Sequence, residues 1–339
     1  MSTGLHFTNV GRAPWHRRGF FASQTFYVAV AFALIALGMA ILSPIFLSGG
    51  NLYNISKNFS FVAIVALGVT LVIVTGGIDL SVGSTMALVA LVTVMTLNAV
   101  AGRFSGLPGL ALGAALCAGL ATSLAIGLIN GVLVAKVGLS PFVTTLGMLS
   151  IARGLCYVIT DGRGQAPQGD DAELLYSLAD GQLLGLPMPV VYLLVLAGLL
   201  GLVLHHSAWG RHLFAIGGNE RAARLCGVRV DAVKISAYVL SALAAGFAGV
   251  LMAGWLGSVP ANLAFGYELR IIAASVIGGA NLAGGAGGPL GAVLGSALIE
   301  VIRNGLVLGK VSPYWQDTLI GLIIILAVLV DRLRARRAG

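Results

Sequence analysis

Charged residues are so sparse along this chain that seven uncharged runs cover 19–56, 58–78, 80–102, 104–135, 181–210, 235–267 and 271–299. A helix crossing the hydrocarbon core of a bilayer needs about 20 mostly apolar residues, and every one of these runs is long enough. Only 9% of the 339 residues are charged, against about 25% in a soluble domain. Too few charges remain to coat a water-facing surface. The same hydrophobicity excludes intrinsic disorder, which requires few apolar and many charged residues. The 48 glycines follow no G-X-Y period, which excludes a collagen-like chain. What remains is an all-α, polytopic transmembrane helix bundle.

The apolar runs and the turn residues between them predict ten spans, at about 27–47, 59–77, 84–101, 109–135, 141–160, 187–205, 235–256, 268–284, 289–309 and 314–331. Together they form one membrane domain, 27–331, between a tail at 1–26 and a basic tail at 332–339. The first run follows Arg17-Arg18, is too long for a signal-peptide core and lacks an A-x-A site, so it reads as an uncleaved span. Broken helices are expected at two places. Gly76-Gly77-Ile78-Asp79-Leu80-Ser81-Val82-Gly83 separates the second and third spans, and a glycine-dense stretch, 278–288, closes the eighth.

Orientation follows from where Lys and Arg lie. With ten spans and a cytoplasmic N-terminus, thirteen of the twenty basic residues fall on inside segments and only Lys57, Arg103, Arg163 and Lys310 outside. Both tails are then cytoplasmic. The net charge of +8 therefore points to anionic lipid headgroups rather than to nucleic acid. Two connections are long. The outside loop 161–186 carries Asp161, Asp170, Asp171, Glu173 and Asp180, and the inside loop 205–234 carries Arg211, Arg221, Arg224, Arg229 and Lys234.

The chain also echoes itself. Asn130-Gly131 to Ser140-Pro141-Phe142 reads like Asn304-Gly305 to Ser312-Pro313-Tyr314, one copy predicted inside and the other outside. An inverted repeat of spans 2–5 and 6/7–10 gives that pattern, as in many transporters.

No catalytic or metal-binding set is visible. His6, His16, His205, His206 and His212 sit in tails or at the start of the inside loop, and Cys117, Cys156 and Cys226 are isolated. The nearest approach to a phosphate-binding loop, 305–311, lacks the spacing and the hydroxyl of G-x-x-x-x-G-K-[ST]. Energy for any transport must come from another chain or an ion gradient. Asp79, flanked by small residues and Ser81, either shapes a polar path or caps the third span. Asn130, Asn281, Glu300 and Asn304 are the other polar residues within spans. They either hydrogen-bond between helices or touch a solute. The G-x-x-x-G pairs Gly109/Gly113, Gly127/Gly131, Gly291/Gly295 and Gly305/Gly309 predict close helix packing.

The inside loop is the most informative segment. Gly217-Gly218 break the chain there, Asn219 caps a short helix over 220–225, and Gly227 fits the residue after its end. Ala222, Ala223 and Cys226 form a small smooth face, with Arg221 and Arg224 three apart on one side. Such a helix suits docking into another protein or lying on lipid headgroups.

Four stretches in order, Gly76–Gly83, Asn130-Gly131 with Pro141–Gly147, Ala215–Val230, and Val276–Gly285 continuing to Asn304-Gly305, resemble the membrane-spanning permeases of bacterial ABC importers for simple sugars, of the ribose, xylose and arabinose type. The resemblance covers most of 55–331. Ala286 departs from it, standing where relatives commonly carry a more polar or basic residue. It implies that the inside loop seats on an ATPase through Ala215, Gly217, Gly218, Asn219, Arg221, Ala222, Ala223 and Gly227. Asp79, Ser81, Asn130, Asn281 and Asn304 are candidates for the translocation path on their own polarity and placement rather than on the resemblance. The resemblance also implies a second permease subunit, two ATPase subunits or one fused ATPase, a periplasmic sugar-binding protein and the bacterial inner membrane. The chain itself would then bind no cofactor or metal and catalyse no reaction, ATP being held by the partner. A branched-chain amino-acid permease is the nearest alternative, though Ile78-Asp79-Leu80-Ser81 favours the sugar group. An ion-coupled secondary transporter should carry several membrane-depth acids or bases, and Asp79 is nearly alone in the sequence reading.

Overall fold

A computed structural model describes residues 24–104, 107, 109–312, 315, 318–319 and 321–322. Its helices are α1 (Gln24–Leu42), α2 (Gly49–Val74), α3 (Val82–Ala101), α4 (Leu110–Ala135), α5 (Pro141–Thr160), α6 (Ala172–Asp180), α7 (Met188–His206), α8 (Ala208–Gly218), α9 (Glu220–Leu225), α10 (Val230–Leu256), α11 (Tyr267–Ile277) and α12 (Pro289–Leu308). The strands among the described residues are a short antiparallel pair, Gln182–Leu183 with Leu186–Pro187. Among the described residues eight helices, α1–α5, α7, α10 and α12, are long and apolar enough to cross a membrane, and the chain is a multi-pass membrane protein.

One predicted span differs. The eighth, 268–284, is not a spanning helix: α11 has 11 residues, about 16 Å at 1.5 Å per residue, half of a hydrocarbon core about 30 Å thick. Glycines from 278 onward end it. The tenth, 314–331, falls largely outside the described residues, as do the two predicted tails. Boundaries elsewhere agree within a few residues, except that α2 begins ten residues before the predicted start, at Gly49, where Ser48 caps it by accepting from Asn51 N.

Helices that are apolar all round either sit in the middle of a bundle or face lipid. Here α2 does the first and α1 the second: 89% of the most apolar window of α2 is buried, against 6% of α1. Helices in lipid gain little from hydrophobic burial against each other, so small residues that let backbones approach decide the packing. At Gly68 of α2 an added Cβ would sit 2.8 Å from Ser241 Cα of α10. At Gly127 and Gly131 of α4 it would sit 2.7 and 2.8 Å from the Cα atoms of Val239 and Ile235. Gly291 and Gly295 of α12 are pressed onto the α11 backbone at Gly278 and Ala274. The G-x-x-x-G expectation fails at Gly109/Gly113, where nothing lies within 4 Å, and at Gly305 the neighbour is only the Met39 side chain.

The pairings also fix directions. Lys57 lies over the Trp255 ring and Gly68 lies on Ser241, so α2 and α10 are antiparallel. Gly127 and Gly131 against Val239 and Ile235 make α4 antiparallel to α10, while Asn51 bonded to Asn304 makes α12 antiparallel to α2. Each long central helix is followed by an irregular stretch, 75–81 or 257–266, then a helix, then a helix ending in Asn-Gly. The two Asn-Gly ends lie at opposite faces of the bundle. This is an inverted repeat, and its second copy begins at α10, the seventh predicted span.

Candidate functional site

The first irregular stretch, 75–81, is closed. Gly76 takes a φ of +79°, which turns the chain back beside α2 at little steric cost. Asp79 then accepts from Ser241 Oγ at 2.9 Å. Ser241 packs beside Gly68, so the chain has climbed back about six residues, roughly 9 Å, before α3 starts. Asp79 also accepts from Ser81 N (3.0 Å) and Ser81 Oγ (2.6 Å), and Asn130 Nδ2 donates to Ser81 Oγ at 3.0 Å. Tyr238 Oη and Thr145 Oγ1 both reach the Ile78 carbonyl, at 3.3 and 3.4 Å. Asp79, Ser81 and Asn130 are each 1% exposed. Structurally, Asp79 sits two residues before the helix cap and is the centre of a polar knot joining α2, α3, α4 and α10. Asn130 Oδ1 has no partner in it.

The other two path candidates are elsewhere. Asn304 and Asn51 donate to each other at 2.8 and 3.2 Å, which ties α12 to α2. Asn281 is exposed in the glycine-dense loop, accepting from Ala283 N at 3.0 Å. Thus Asp79, Ser81 and Asn130 come together, and Asn281 and Asn304 do not join them.

The helical hairpin α8–α9 forms as its residues dictate. Ser207 caps α8 by accepting from Gly210 N at 3.0 Å, and Asn219 caps α9 by accepting from Ala222 N at 3.0 Å. Gly227, at φ +82°, closes α9 with paired bonds, Val228 N to Ala223 O and Gly227 N to Arg224 O, the Schellman arrangement. Gly217 and Gly218 are the last residues of α8, and the chain breaks at Gly217-Gly218-Asn219 as expected. A Cβ at Gly217 would overlap Val74 O and Gly285 N. Gly285 N in turn donates to Val74 O at 2.9 Å, and Gly284 lies against Gly76 and Gly217. Gly76, Gly217, Gly218, Gly284 and Gly285 therefore meet backbone to backbone where α8 abuts the end of α2.

Ala223 also differs from expectation. It is 6% exposed and packs inward with Leu71, Leu213, Ile216 and Val233, so it does not share an outer face with Ala222 and Cys226. The outward surface carries Ala215, Gly218, Asn219, Arg221, Ala222, Gly227 and, unanticipated, Leu225 at 90% exposure. A leucine before a Cys-Gly turn was its only sequence signal. Lys234 bonds Glu220 at 2.5 Å and Arg224 bonds Asp231 at 2.9 Å, stapling α9 to α10. The bond from Lys234, helped by Arg224, holds the Glu220 carboxyl below its usual range, and Asp231 raises Arg224 further.

At the opposite face, Lys57 pairs with Asp180 of α6 and lies 5.3 Å from the Trp255 ring centroid. Asp171 caps α4 from the long loop, accepting from Gly109 N (2.8 Å) and Leu112 N (3.0 Å), and these bonds pull its carboxyl below the usual range. Asp79 is not the only ionisable residue within the bundle. Glu300 is buried on α12 with Arg303 3.9 Å away, and Arg153 stands within α5. Among the described residues no three His, Cys, Asp or Glu side chains gather as a metal site.

A polytopic bundle with two irregular stretches between its helices and an outward hairpin at one face is an architecture a membrane permease can use. Residues 51–328 match the family model described as branched-chain amino acid transport system / permease component, and the chain belongs to that family. It is 41% identical over 299 residues to the ribose import permease protein RbsC of Escherichia coli strain K12, covering 88% of this chain and 90% of the relative. RbsC of Bacillus subtilis strain 168 is 36% identical over 300 residues, with 88% and 90% covered. The L-arabinose transport system permease protein AraH of E. coli K12 is 34% identical over 307 residues, with 91% and 90% covered. No solved structure matches the chain.

Proposed function

We propose that this chain is the membrane-spanning permease subunit of an ATP-driven importer and forms the path for a monosaccharide, a pentose such as ribose or arabinose. The observation that carries the reading is relatedness over about nine-tenths of the chain to permeases named for those two sugars. On this reading the protein lies in a bacterial inner membrane with both tails and the α8–α9 hairpin in the cytoplasm, the orientation that the basic residues favour. Two copies pair around a central path. ATPase subunits, separate or fused, seat on the hairpin through Ala215, Gly218, Asn219, Arg221, Ala222 and Gly227, with Leu225 at its tip. Gly217 and Ala223 serve behind that surface, joining the hairpin to the bundle. A periplasmic sugar-binding protein closes the opposite face. The chain performs no bond chemistry and needs no cofactor; its partners bias two conformations of different stability.

Asp79, Ser81 and Asn130 act in this scheme as the joint that the hairpin pushes against. The glycine contact from Gly217 to Val74 and Gly285 supplies a stiff connection to the end of α2, because backbone packed on backbone has no side chain to yield. Expression in a ribose-permease deletion strain tests the reading. Restored, ATP-dependent D-ribose uptake is expected, and its absence from a strain whose ATPase and binding protein are intact contradicts it. The family description favours one second reading, a branched-chain amino acid as cargo; L-leucine uptake in place of D-ribose in the same assay would establish it.

A further inference from the structure

The second irregular stretch, 257–266, sits at membrane depth. Its start is tied to the long loop by a two-way bridge between Val259 and Gln165, at 2.8 and 2.9 Å. Its end has moved far from there. The Ala264 carbonyl lies 2.8 Å from where a Cβ at Gly83 would be. Gly83 stands between Asp79, bonded to Ser241, and Met86, packed on Gly249. That is level with about Ala245 of α10, eleven residues or roughly 16 Å short of its Leu256 end. The chain leaves α10 at one face, folds back to mid-membrane and only then starts α11.

Its two sides differ. Val259, Ala261, Leu263 and Ala264 are buried, whereas Pro260, Asn262 and Phe265 point outward, Phe265 at 74% exposure. Ala264 holds a φ of +52°, a costly left-handed conformation for a residue with a Cβ. Behind the stretch, Arg153 of α5 donates through Nη1 to the carbonyls of Ala261 (3.2 Å) and Leu263 (2.9 Å), its guanidinium 5.9 Å from the Phe265 ring centroid. Irregular backbone at this depth does not face lipid; it is covered by protein or lines water. An intramembrane arginine likewise marks a polar path.

Resting on the sugar-importer reading, we propose that the outward edge of residues 257–266 lines the aqueous path, and that Asn262 and Phe265 touch the passing sugar. A sugar presents hydroxyls around its rim and C–H bonds on its faces. An amide and an exposed aromatic ring three residues apart answer both, a polar group for orientation and an apolar plate for contact. Arg153 is the positioning residue, holding the two carbonyls so that the side chains between and beyond them face outward.

The test uses the full transporter in membranes, with Cys117, Cys156 and Cys226 replaced by Ala. Asn262→Cys and Phe265→Cys are treated with a charged, membrane-impermeant methanethiosulfonate. Leu184→Cys, 96% exposed in the long loop, and Leu199→Cys, 55% exposed on α7, are the water-facing and lipid-facing references. We expect labelling of both positions at rates near the Leu184→Cys reference, slowed severalfold by saturating D-ribose with its binding protein. In the otherwise native chain, Phe265→Ala should lower D-ribose uptake severalfold, Phe265→Tyr should restore it, and Asn262→Ala should shift the ratio of D-ribose to L-arabinose uptake. Labelling no faster than at Leu199→Cys overturns the proposal, whether lipid or a second copy covers the stretch, and so does unchanged uptake and sugar preference in both alanine variants. Failure of the importer reading is seen separately, as absence of ATP-dependent D-ribose uptake by the unsubstituted chain.

Discussion

The two irregular stretches occupy equivalent places in an inverted repeat, yet one is closed and the other open. In 75–81 the acid, both serines and Asn130 face one another, and the left-handed residue is a glycine. In 257–266 Ser258, Pro260, Asn262 and Phe265 face outward, and a left-handed residue is an alanine. The difference teaches how one repeat unit supplies two functions. The closed copy fastens four helices and leans on the α8–α9 hairpin. The open copy presents side chains and is held from behind by an arginine.

The sharpest way to break this contrast is to jam the closed copy. Gly217→Val forces a side chain into the backbone of Val74 and Gly285, which costs about 1–3 kcal/mol or more when nothing can yield. D-ribose uptake should fall by at least about tenfold at unchanged membrane level, read by uptake and immunoblot. Full uptake would dissociate the hairpin from the break.

Asp79→Ala comes next. It leaves the hydroxyls of Ser81 and Ser241 without their acceptor, a loss of about 1–3 kcal/mol, and should lower the Tm of the purified protein by a few degrees. Phe265→Ala, in the open copy, should leave stability within about 0.5 kcal/mol of the parent, with Tm nearly unchanged. Equal shifts in the two variants would erase the distinction.

At the hairpin tip, Leu225→Asp should reduce binding-protein-stimulated ATP hydrolysis severalfold with no change in Tm, since Leu225 buries nothing in the chain itself. The smallest effect is electrostatic. The folded-state carboxyl of Glu220 lies below its usual range because Lys234 bonds it, so its stabilisation is complete above the ordinary carboxylate range and is lost as pH falls through the lowered value. The stability advantage of the parent over Glu220→Gln, about 0.2–1 kcal/mol for an exposed pair and read as a small Tm difference, should be present at pH 7 and vanish in strong acid. An advantage that grows on acidification would contradict the assignment.

Much of this architecture can be read from the chain because its causes are local. Span lengths follow from uncharged runs, and the ends of α9 follow from Asn219 and Gly227, whose capping chemistry acts within a few residues. Depth and facing are not local. Gly76–Gly83 reads as a turn whether it lies at an edge or inside the bundle; Ser241, 162 residues away, decides. Residues 257–266 read as an outside loop because periodicity stops there, and nothing nearby signals the descent beside Gly83. Gly217 reads as a helix end, which it is, but nothing local signals that its lack of a side chain also serves contact with α2. Ala223 reads as surface because Ala is neutral to burial.

Hydrogen–deuterium exchange of the unsubstituted transporter in lipid nanodiscs tests the contrast most directly. The amides of Thr75, Gly76, Gly77 and Ser81 are bonded to the end of α2 or into the knot, whereas in 257–266 those of Val259, Leu263 and Phe265 are bonded, so the account predicts strong protection of the first four and faster exchange in 257–266, at Asn262 above all. Equal protection of the two stretches, or faster exchange at 75–81, would contradict it.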